Sequence, residues 1–451
     1  MSSRLKSLVV ALAGVLTAPG AFAVNIIGVH DLAIKNDPKL QAATYRRDAA
    51  GENTRQAWSN LLPTLSASGT TSKGSSKTSI SGFGVVSDVD TDTENLNLSL
   101  RQTLYNKANY EQLDIARGQV SLAEAVYLAA YQDFLVRVAS SYFDVLTAIE
   151  GVTFAEAEEK ALQRQFEQAE QRFEVGLTAV TDVHEARAGY DNARARAIVS
   201  RNSLADTKEG LRELTGQYFE HVDPLQEQLP LQPPSPQTAE EWVDIAMTNN
   251  PAVLSSRHAV EIADSNARLQ RAGHYPTLEL TANLNEFTNN EFVARDPATQ
   301  LPIGTFPLVN DGSSYSLRLN IPLYQGGVVS SRTRQARFEL NAAEQDLDVQ
   351  QRATVRQTRN AFRAVIAGIL QVEAFGQALI SAESALEATQ AGFEVGTRTI
   401  VDVLIAEQRY FLALRDNSNA RHTYIVDHLR LRAAAGVLAE EDLQLVNQIL
   451  D

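Results

Sequence analysis

The stretch "FEVGLTAVTDVHEARAGY" at residues 173–190 returns 220 positions later as "FEVGTRTIVDVLIAEQRY" at residues 393–410. Eight of the eighteen positions are identical in the two copies. Gly176 and Gly396 follow the shared Phe-Glu-Val, and a glycine in this place is typical of a helix that ends in a left-handed residue. Each copy therefore predicts a tip, where one helix ends and another begins.

Polar residues after each glycine predict the start of the returning helix. Thr181 or Asp182 can accept its first backbone amides, and Asp182 with Glu185 has the spacing of a capping box. Asp402 takes the equivalent place in the second copy. On a structural interpretation both aspartates are N-caps. On a functional one, copies of Asp402 around an axis form a ring of carboxylates that attracts cations, and each carboxylate raises the pKa of the others.

The two halves of the chain align along most of their length, which indicates a tandem duplication. Three further pairs of segments correspond: "DLAIKNDP" (31–38) with "DIAMTNNP" (244–251), "LLPTLSASG" (61–69) with "HYPTLELTA" (274–282), and "QTLY" (102–105) with "IPLY" (321–324). We predict a first structural repeat over residues 24–222 and a second over residues 238–451. The proline-rich segment 223–237 between them is typical of an extended linker.

The N-terminus has the pattern of an export signal. Arg4 and Lys6 precede an apolar run at 8–18, and Ala-Phe-Ala at 21–23 forms a cleavage site. We therefore predict a signal peptide over residues 1–23. The apolar run is too short to remain in a bilayer. No other window holds eighteen consecutive apolar residues, so we expect no transmembrane helix.

Composition and motifs argue against several classes of function. The formal charge of −15 argues against nucleic acid as a partner, and the absence of cysteine excludes disulfides and a cysteine nucleophile. His184-Glu185 begins like a zinc-protease helix, but Ala188 stands where the second histidine would be. No G-x-S-x-G or P-loop sequence is present. The sequence predicts no catalytic residue, no cofactor and no metal site apart from a cation at a ring of Asp402 carboxylates.

Alternating apolar and polar residues predict two strands in each repeat. One face of the second strand carries Leu96, Leu98, Leu100, Gln102 and Leu104. We predict strands at about 64–79, 94–105, 277–287 and 313–324, joined by long polar loops at 80–93 and 287–312. Such strands fit either a half-buried soluble sheet or an outer-membrane barrel. Because a barrel needs about eight strands, four strands per chain would require either two chains or three.

Long segments without proline predict very long helices. Residues 106–172 contain no proline and two glycines, and a continuous helix over them would be roughly 100 Å long. We predict helices at about 106–172, 182–214, 328–391 and 402–434, with tips at 173–182 and 393–402. Two adjacent apolar stripes on the first helix predict neighbours on both sides, as in a wall of helices.

The chain resembles the TolC-type outer-membrane efflux proteins over essentially its whole mature length. The resemblance rests on "LLPTL" (61–65), "LYQGG" (323–327), both tip motifs and above all "VGTRTIVDVL" (395–404). It implies an α+β membrane protein and a homotrimer. Four strands per chain would form a twelve-stranded β-barrel in the lipid of a Gram-negative outer membrane. The barrel would continue into a long periplasmic α-helical barrel of coiled-coil hairpins.

The same resemblance implies a passive exit duct for tripartite efflux or type I secretion. Its partners would be a periplasmic adaptor, or membrane fusion protein, and an inner-membrane pump of RND, ABC or MFS type. The adaptor's hairpin tips would meet the two turns of each chain, at Val175, Gly176 and Leu177 and at Val395, Gly396 and Thr397. Such a duct needs neither a cofactor nor an energy source of its own.

The resemblance also assigns a periplasmic gate to six residues: Thr181, Asp182, Phe393, Arg398, Asp402 and Ile405. Thr181 and Asp182 match the constraint pair of the first tip. Arg398 matches the arginine that ties the tip to its neighbours, and Asp402 matches the first aspartate ring. Two positions depart from the family pattern: Phe393 replaces a tyrosine and Ile405 replaces a second aspartate ring. We therefore expect Arg398 contacts and packing to hold the resting gate, with weaker cation binding.

A periplasmic coiled-coil scaffold or adaptor without a pore is the alternative function. It would account for the helices but not for the strands. Solubility without detergent would favour the scaffold. A trimer that requires detergent would favour the duct.

Overall fold

The computed structural model describes residues 24–80, 82, 84–295, 297–299 and 301–450. The predicted signal peptide, residues 1–23, lies outside this part of the chain. Contacts divide the chain into two compact units: unit 1 comprises the described residues of 1–43, 128–250 and 353–451, and unit 2 those of 44–127 and 251–352. Each unit therefore draws on both predicted repeats, and the units do not follow the duplication in the sequence.

Helices and strands follow the same order in the two halves of the described chain. The first half contains α1 (Ile26–Asn36), α2 (Pro38–Ser59), β1 (Thr64–Ile80), β2 (Gly84–Asn106), α3 (Lys107–Glu174) and α4 (Val180–Thr215). The second contains α5 (Ala239–Asn249), α6 (Pro251–Ala272), β3 (Thr277–Arg295), β4 (Pro302–Asn320), α7 (Val328–Glu394) and α8 (Ile400–Ala435), followed by α9 (Glu440–Asn447). These elements confirm an α+β chain with four strands and long helices.

The short helices α1, α2, α5, α6 and α9 were not part of the sequence prediction. A proline sets the boundary between α1 and α2, and another sets the boundary between α5 and α6. Pro38 and Pro251 begin α2 and α6, where a missing backbone N–H costs nothing. The residues before them, Asp37 and Asn250, end α1 and α5 in an extended conformation with ψ of 113° and 122°, because a following proline disfavours the helical one.

The four strands of unit 2 form one antiparallel sheet in the order β1-β2-β3-β4. The central pair, β2 and β3, joins the two repeats. Residues directly opposite each other in an antiparallel pair share a face, and the register places Leu98 opposite Leu284 and Leu280 opposite Leu317. The apolar side chains of the predicted alternation thus lie together on one continuous face of the sheet. Leu284 and Leu317 are exposed within the chain.

The strands are longer than predicted, and the expected polar loops at 80–93 and 287–312 are wrong. β2 begins at Gly84 and β3 continues to Arg295, so the hairpins extend well beyond the apolar alternation. Backbone pairing does not require an apolar alternation: in the first hairpin Lys73 stands opposite Asp92, with Nζ 3.0 Å from Oδ2. β4 ends at Asn320 instead of 324, because Pro322 has no N–H for the ladder.

The predicted linker, residues 223–237, contains no helix or strand but is fastened to the helices of unit 1. The buried hydroxyl of Tyr142 donates to the Asp223 carbonyl at 2.8 Å. The Tyr424 hydroxyl donates to the Gln232 carbonyl at 3.0 Å and accepts from its N–H at 3.1 Å. The Trp242 indole donates to the Pro236 carbonyl at 2.8 Å. These bonds make the segment a fixed strap rather than a free linker.

One helix among the described residues, α7, has the length and composition to cross a membrane. An 18-residue window within it has a mean hydropathy of 1.5, although polar residues interrupt the apolar ones. Only 11% of that window is buried in the chain. A single helix of this kind is weak evidence for a membrane span, because helices of soluble proteins can have the same length and composition.

Candidate functional site: the two helical tips

The two tips end α3 and α7 with the same backbone geometry. Gly176 and Gly396 have φ of 77° and 80°, in the left-handed region that favours glycine. The N–H of Leu177 donates to the Arg172 carbonyl at 2.8 Å, and the equivalent bond in the second tip is also 2.8 Å. This is the pattern of a Schellman motif. It confines each turn to five residues, 175–179 and 395–399, which is shorter than the predicted tips.

The six residues predicted to meet an adaptor all lie in these turns or beside them, and all are exposed. Val175, Leu177 and Val395 are the large apolar side chains among them, and Val395 is 76% exposed. The Thr397 hydroxyl instead donates back to the Gly392 carbonyl at 3.0 Å. Each tip thus presents apolar surface on a backbone that its own hydrogen bonds hold rigid.

A capping box begins α8. The Thr399 hydroxyl accepts from the Asp402 N–H at 3.3 Å, and the Asp402 carboxylate accepts from the Thr399 N–H at 2.9 Å. The Thr399 hydroxyl also donates to that carboxylate at 2.9 Å. The hydrogen bonds from Thr399 and, to a smaller extent, the charge of Arg398 lower the pKa of Asp402 below its ordinary value. Asp402 is therefore the third residue of the helix and not its N-cap.

The predicted capping of α4 by Thr181 or Asp182, with Glu185 as partner, is wrong. The helix begins at Val180, so the N-cap is Ala179, which has no side-chain oxygen. The Thr178 hydroxyl donates to the Asp182 carboxylate instead. Thr181 is exposed in the first turn of the helix and Asp182 is half-buried. The prediction failed because it placed the start of the helix two residues too late.

The second tip packs against the first hairpin, whereas the first tip does not pack in the same way. Ile400, 3% exposed, contacts Ala169 and Ala186 in a small apolar cluster that Phe393 also joins. The Arg172 guanidinium lies 4.7 Å from the centre of the Phe393 ring, within the range of a cation–π contact. The residue equivalent to Ile400 in the first tip, Val180, is 47% exposed.

The remaining two predicted gate residues, Arg398 and Ile405, are exposed. The side chain of Arg398 lies over Gly392, where an added Cβ would come within 2.8 Å of its Cγ. Among the described residues of the chain, no ion pair connects Arg398 with Asp182. The structure therefore brings Arg398, Asp402 and Phe393 together in the second tip, and it leaves Thr181 and Asp182 in the first.

A polar contact between the hairpins was missed at the sequence level. Glu407 of α8 is 3% exposed, and its Oε1 accepts from Gln165 of α3 at 3.1 Å and from Gln390 of α7 at 3.5 Å. Burial raises the pKa of this carboxyl, against smaller opposing effects of the two amides. No signal in the sequence distinguishes Glu407 from a surface glutamate on a helix. Within the described residues no cluster of three or more histidine, aspartate or glutamate side chains could hold a metal ion.

Comparison with known proteins places the chain in a family. A model described as "Outer membrane efflux protein" matches residues 29–217 and 242–437. Outer membrane protein TolC of Vibrio cholerae serotype O1 is 36% identical over 451 residues, which cover 99% of this chain and 98% of that protein. The alkaline protease secretion protein AprF of Pseudomonas aeruginosa is 30% identical over 439 residues, or 94% of this chain and 87% of that protein.

A solved structure supports the same assignment at the level of the fold. The crystal structure of the outer membrane protein VceC from Vibrio cholerae superposes with a TM-score of 0.72 at 20% sequence identity, covering 91% of this chain and 96% of that one. Two matching segments that together span most of the chain, and relatives at 30% identity or more over nearly their full length, identify the family. The chain therefore belongs to the outer membrane efflux protein family, outer-membrane exit ducts rather than enzymes.

Proposed function

We propose that three copies of the chain form one duct, with a twelve-stranded barrel in the outer membrane and an α-helical barrel in the periplasm. The observation that carries this proposal is the sheet of unit 2. Its four strands expose a continuous apolar face, and within the described residues the outer edges of β1 and β4 pair with no other strand. An open edge in lipid leaves backbone groups unsatisfied. Further copies of the chain can supply the missing neighbours.

The duct carries substrates passively when an adaptor and an inner-membrane pump recruit it. In this proposal the exposed turns around Val175 and Val395 receive the adaptor's hairpin tips, because they are the uncovered apolar points at the ends of the hairpins. A pump of RND, ABC or MFS type supplies the energy and selects the cargo. Residues 1–23 direct export and are removed. The description of the family, outer membrane efflux protein, supports a role in efflux. The name of one relative, alkaline protease secretion protein, supports a role in type I secretion.

The gate consists of contacts between unlike tips of neighbouring copies. Arg398 is exposed and has no carboxylate partner from the first tip of its own chain among the described residues. Thr181 and Asp182 of a neighbouring copy are suitable acceptors for its guanidinium. Three Asp402 carboxylates would meet at the entrance, where repulsion raises their pKa against the opposing effect of the cap. Ile405 adds no second ring, so cations bind there less tightly.

Replacement of Arg398 tests the gate. We expect Arg398→Ala trimers in planar bilayers to conduct more than the wild type, because the tips lose their charged contact. Arg409→Ala, which removes an exposed arginine farther along α8, is the matched control and should conduct as the wild type does. Wild-type conductance in the Arg398 variant would contradict the gate.

Subunit count tests the duct itself. Particles extracted with detergent should contain three chains around a central pore. Chains that stay soluble without detergent and show no pore would favour the periplasmic scaffold instead.

A further inference from the structure

Glu407 connects three helices near the tips through a single carboxyl group. It lies on α8, and its Oε1 accepts from the side-chain amides of Gln165 on α3 and Gln390 on α7, at 3.1 Å and 3.5 Å. Gln165 belongs to the first hairpin, whereas Gln390 and Glu407 belong to the second. The group therefore lies across the contact between the two hairpins of one chain.

Two oxygens of this contact have no hydrogen-bond partner among the described residues. They are Oε2 of Glu407 and Oε1 of Gln165, and both are buried. Two acceptors cannot satisfy each other, and an ionised carboxylate supplies no donor. A proton on Oε2 changes this, because an acid and an amide can form two hydrogen bonds side by side. A buried polar atom without a partner is costly, so the contact favours the protonated acid.

The charged groups around Glu407 do not form an ion pair with it. Arg164 of α3 and Glu394 of α7 line the adjoining cleft of about 420 Å³. Glu158 of α3 is also close enough to influence it, but Arg196 of α4 pairs with Glu158 at 2.7 Å. No cation in the described residues lies within salt-bridge distance of Glu407. The proton therefore has no competing positive group in direct contact.

We propose that Glu407 is a pH-sensitive positioning residue for the gate. With Oε2 protonated, it donates to Gln165 Oε1 and holds the two hairpins of a chain together. When it is ionised, that bond is lost and the hairpins separate more readily. The effect on conduction rests on the proposed function, because the hairpins are taken to close the duct, but the contact itself lies within one chain.

The direction of the pH effect follows from the burial of the group. Burial raises the pKa of Glu407 above its ordinary value of 4.5. The contact is therefore complete below that value and is lost as the pH rises through the raised pKa. Within one chain the pKa of Asp402 is lowered from 3.8, but repulsion between the Asp402 carboxylates of three copies would oppose this. A change with pH is therefore assigned to Glu407 only where Glu407→Gln abolishes it.

Glu407→Gln is the decisive variant, because it keeps the shape and carries a permanent donor. Since the protein has no cysteine, spin labels can be placed at Val175→Cys and Val395→Cys, with one labelled chain per trimer. The distance between these labels and the conductance are then measured from about pH 5 to about pH 8. Glu387→Gln, at an exposed position on α7, serves as the control.

In the wild type and in Glu387→Gln we expect the separated population and the conductance to rise about tenfold with pH, the effect of one hydrogen bond. Glu407→Gln should keep the low-pH distance and conductance throughout. In Gln165→Leu, which removes the acceptor, the two hairpins should be separated at every pH. The proposal would be overturned if the label distance in Glu407→Gln changed with pH as it does in the wild type. It would also be overturned if the hairpins of Glu407→Gln were separated at every pH. If Arg398→Ala conducts more while Glu407→Gln behaves as the wild type, only this inference fails. If no variant conducts, the proposed duct is wrong, and the distances between the labels still test the contact at Glu407.

Discussion

Ile400→Ala tests whether packing within a chain keeps the tips closed. Ile400 is 3% exposed and contacts the first hairpin through Ala169 and Ala186. Val180, its equivalent 220 residues earlier, is 47% exposed and is not a buried member of that cluster. The duplication thus provides a matched control, Val180→Ala, at the same position of the same local structure.

The magnitude follows from the carbon atoms removed. Ile→Ala deletes three carbons at about 0.8 kcal/mol each, or about 2.4 kcal/mol before any cavity is counted. Measured costs for buried Ile→Ala changes extend from about 2 to about 5 kcal/mol. If the contact is lost on opening, the ratio of open to closed tips rises roughly sixtyfold. Val180→Ala removes two carbons that are about half exposed, for about 0.8 kcal/mol and a change of about fourfold at most.

Single-channel recording of the trimers measures the fraction of time spent in the high-conductance state. We expect Ile400→Ala to be mostly open under conditions in which the wild type is mostly closed, and Val180→Ala to remain close to the wild type. Sizing in detergent must show intact trimers for both variants. Equal open fractions in the two variants would refute the role assigned to packing between the hairpins.

Two further predictions concern the ends of the helices. Asp402→Ala should speed hydrogen exchange in the first turn of α8 several-fold. In the single chain the pKa of Asp402 is lowered, so the wild type, dissociated into single chains, should lose this protection only as the pH falls below about 3.8. Unchanged exchange in Asp402→Ala would contradict the cap. Gly436→Ala should abolish folded trimers, because its Cβ would clash with the Asn249 carbonyl oxygen. Gly216→Ala, with its nearest atom at 3.5 Å, should cost only about 1–2 kcal/mol in thermal unfolding; equal losses would refute the steric argument.

Local sequence was enough to predict the helical hairpins, the four strands and the family. Long segments without proline allow continuous helices, and the glycines at 176 and 396 end them, because helix termination depends on neighbouring backbone atoms alone. The alternation in β2 and β3 predicted their common apolar face. It could not predict how far the strands continue, since the paired backbone of β2 before residue 94 does not keep the alternation and includes polar pairs such as Lys73 with Asp92.

The two copies of the tip show where local information ends. Their sequences share eight of eighteen residues and fold into the same turn, yet Ile400 is buried while Val180 is exposed. Glu407 has the sequence context of a surface residue, but it lies among Gln165 and Gln390 at the contact of two hairpins. Burial depends on which segments pack together, over separations of more than two hundred residues. The sequence by itself determined the shape of each tip. Only the tertiary structure decided that Ile400 of the second tip is buried against the first hairpin and that Glu407 forms a hydrogen bond between the two hairpins.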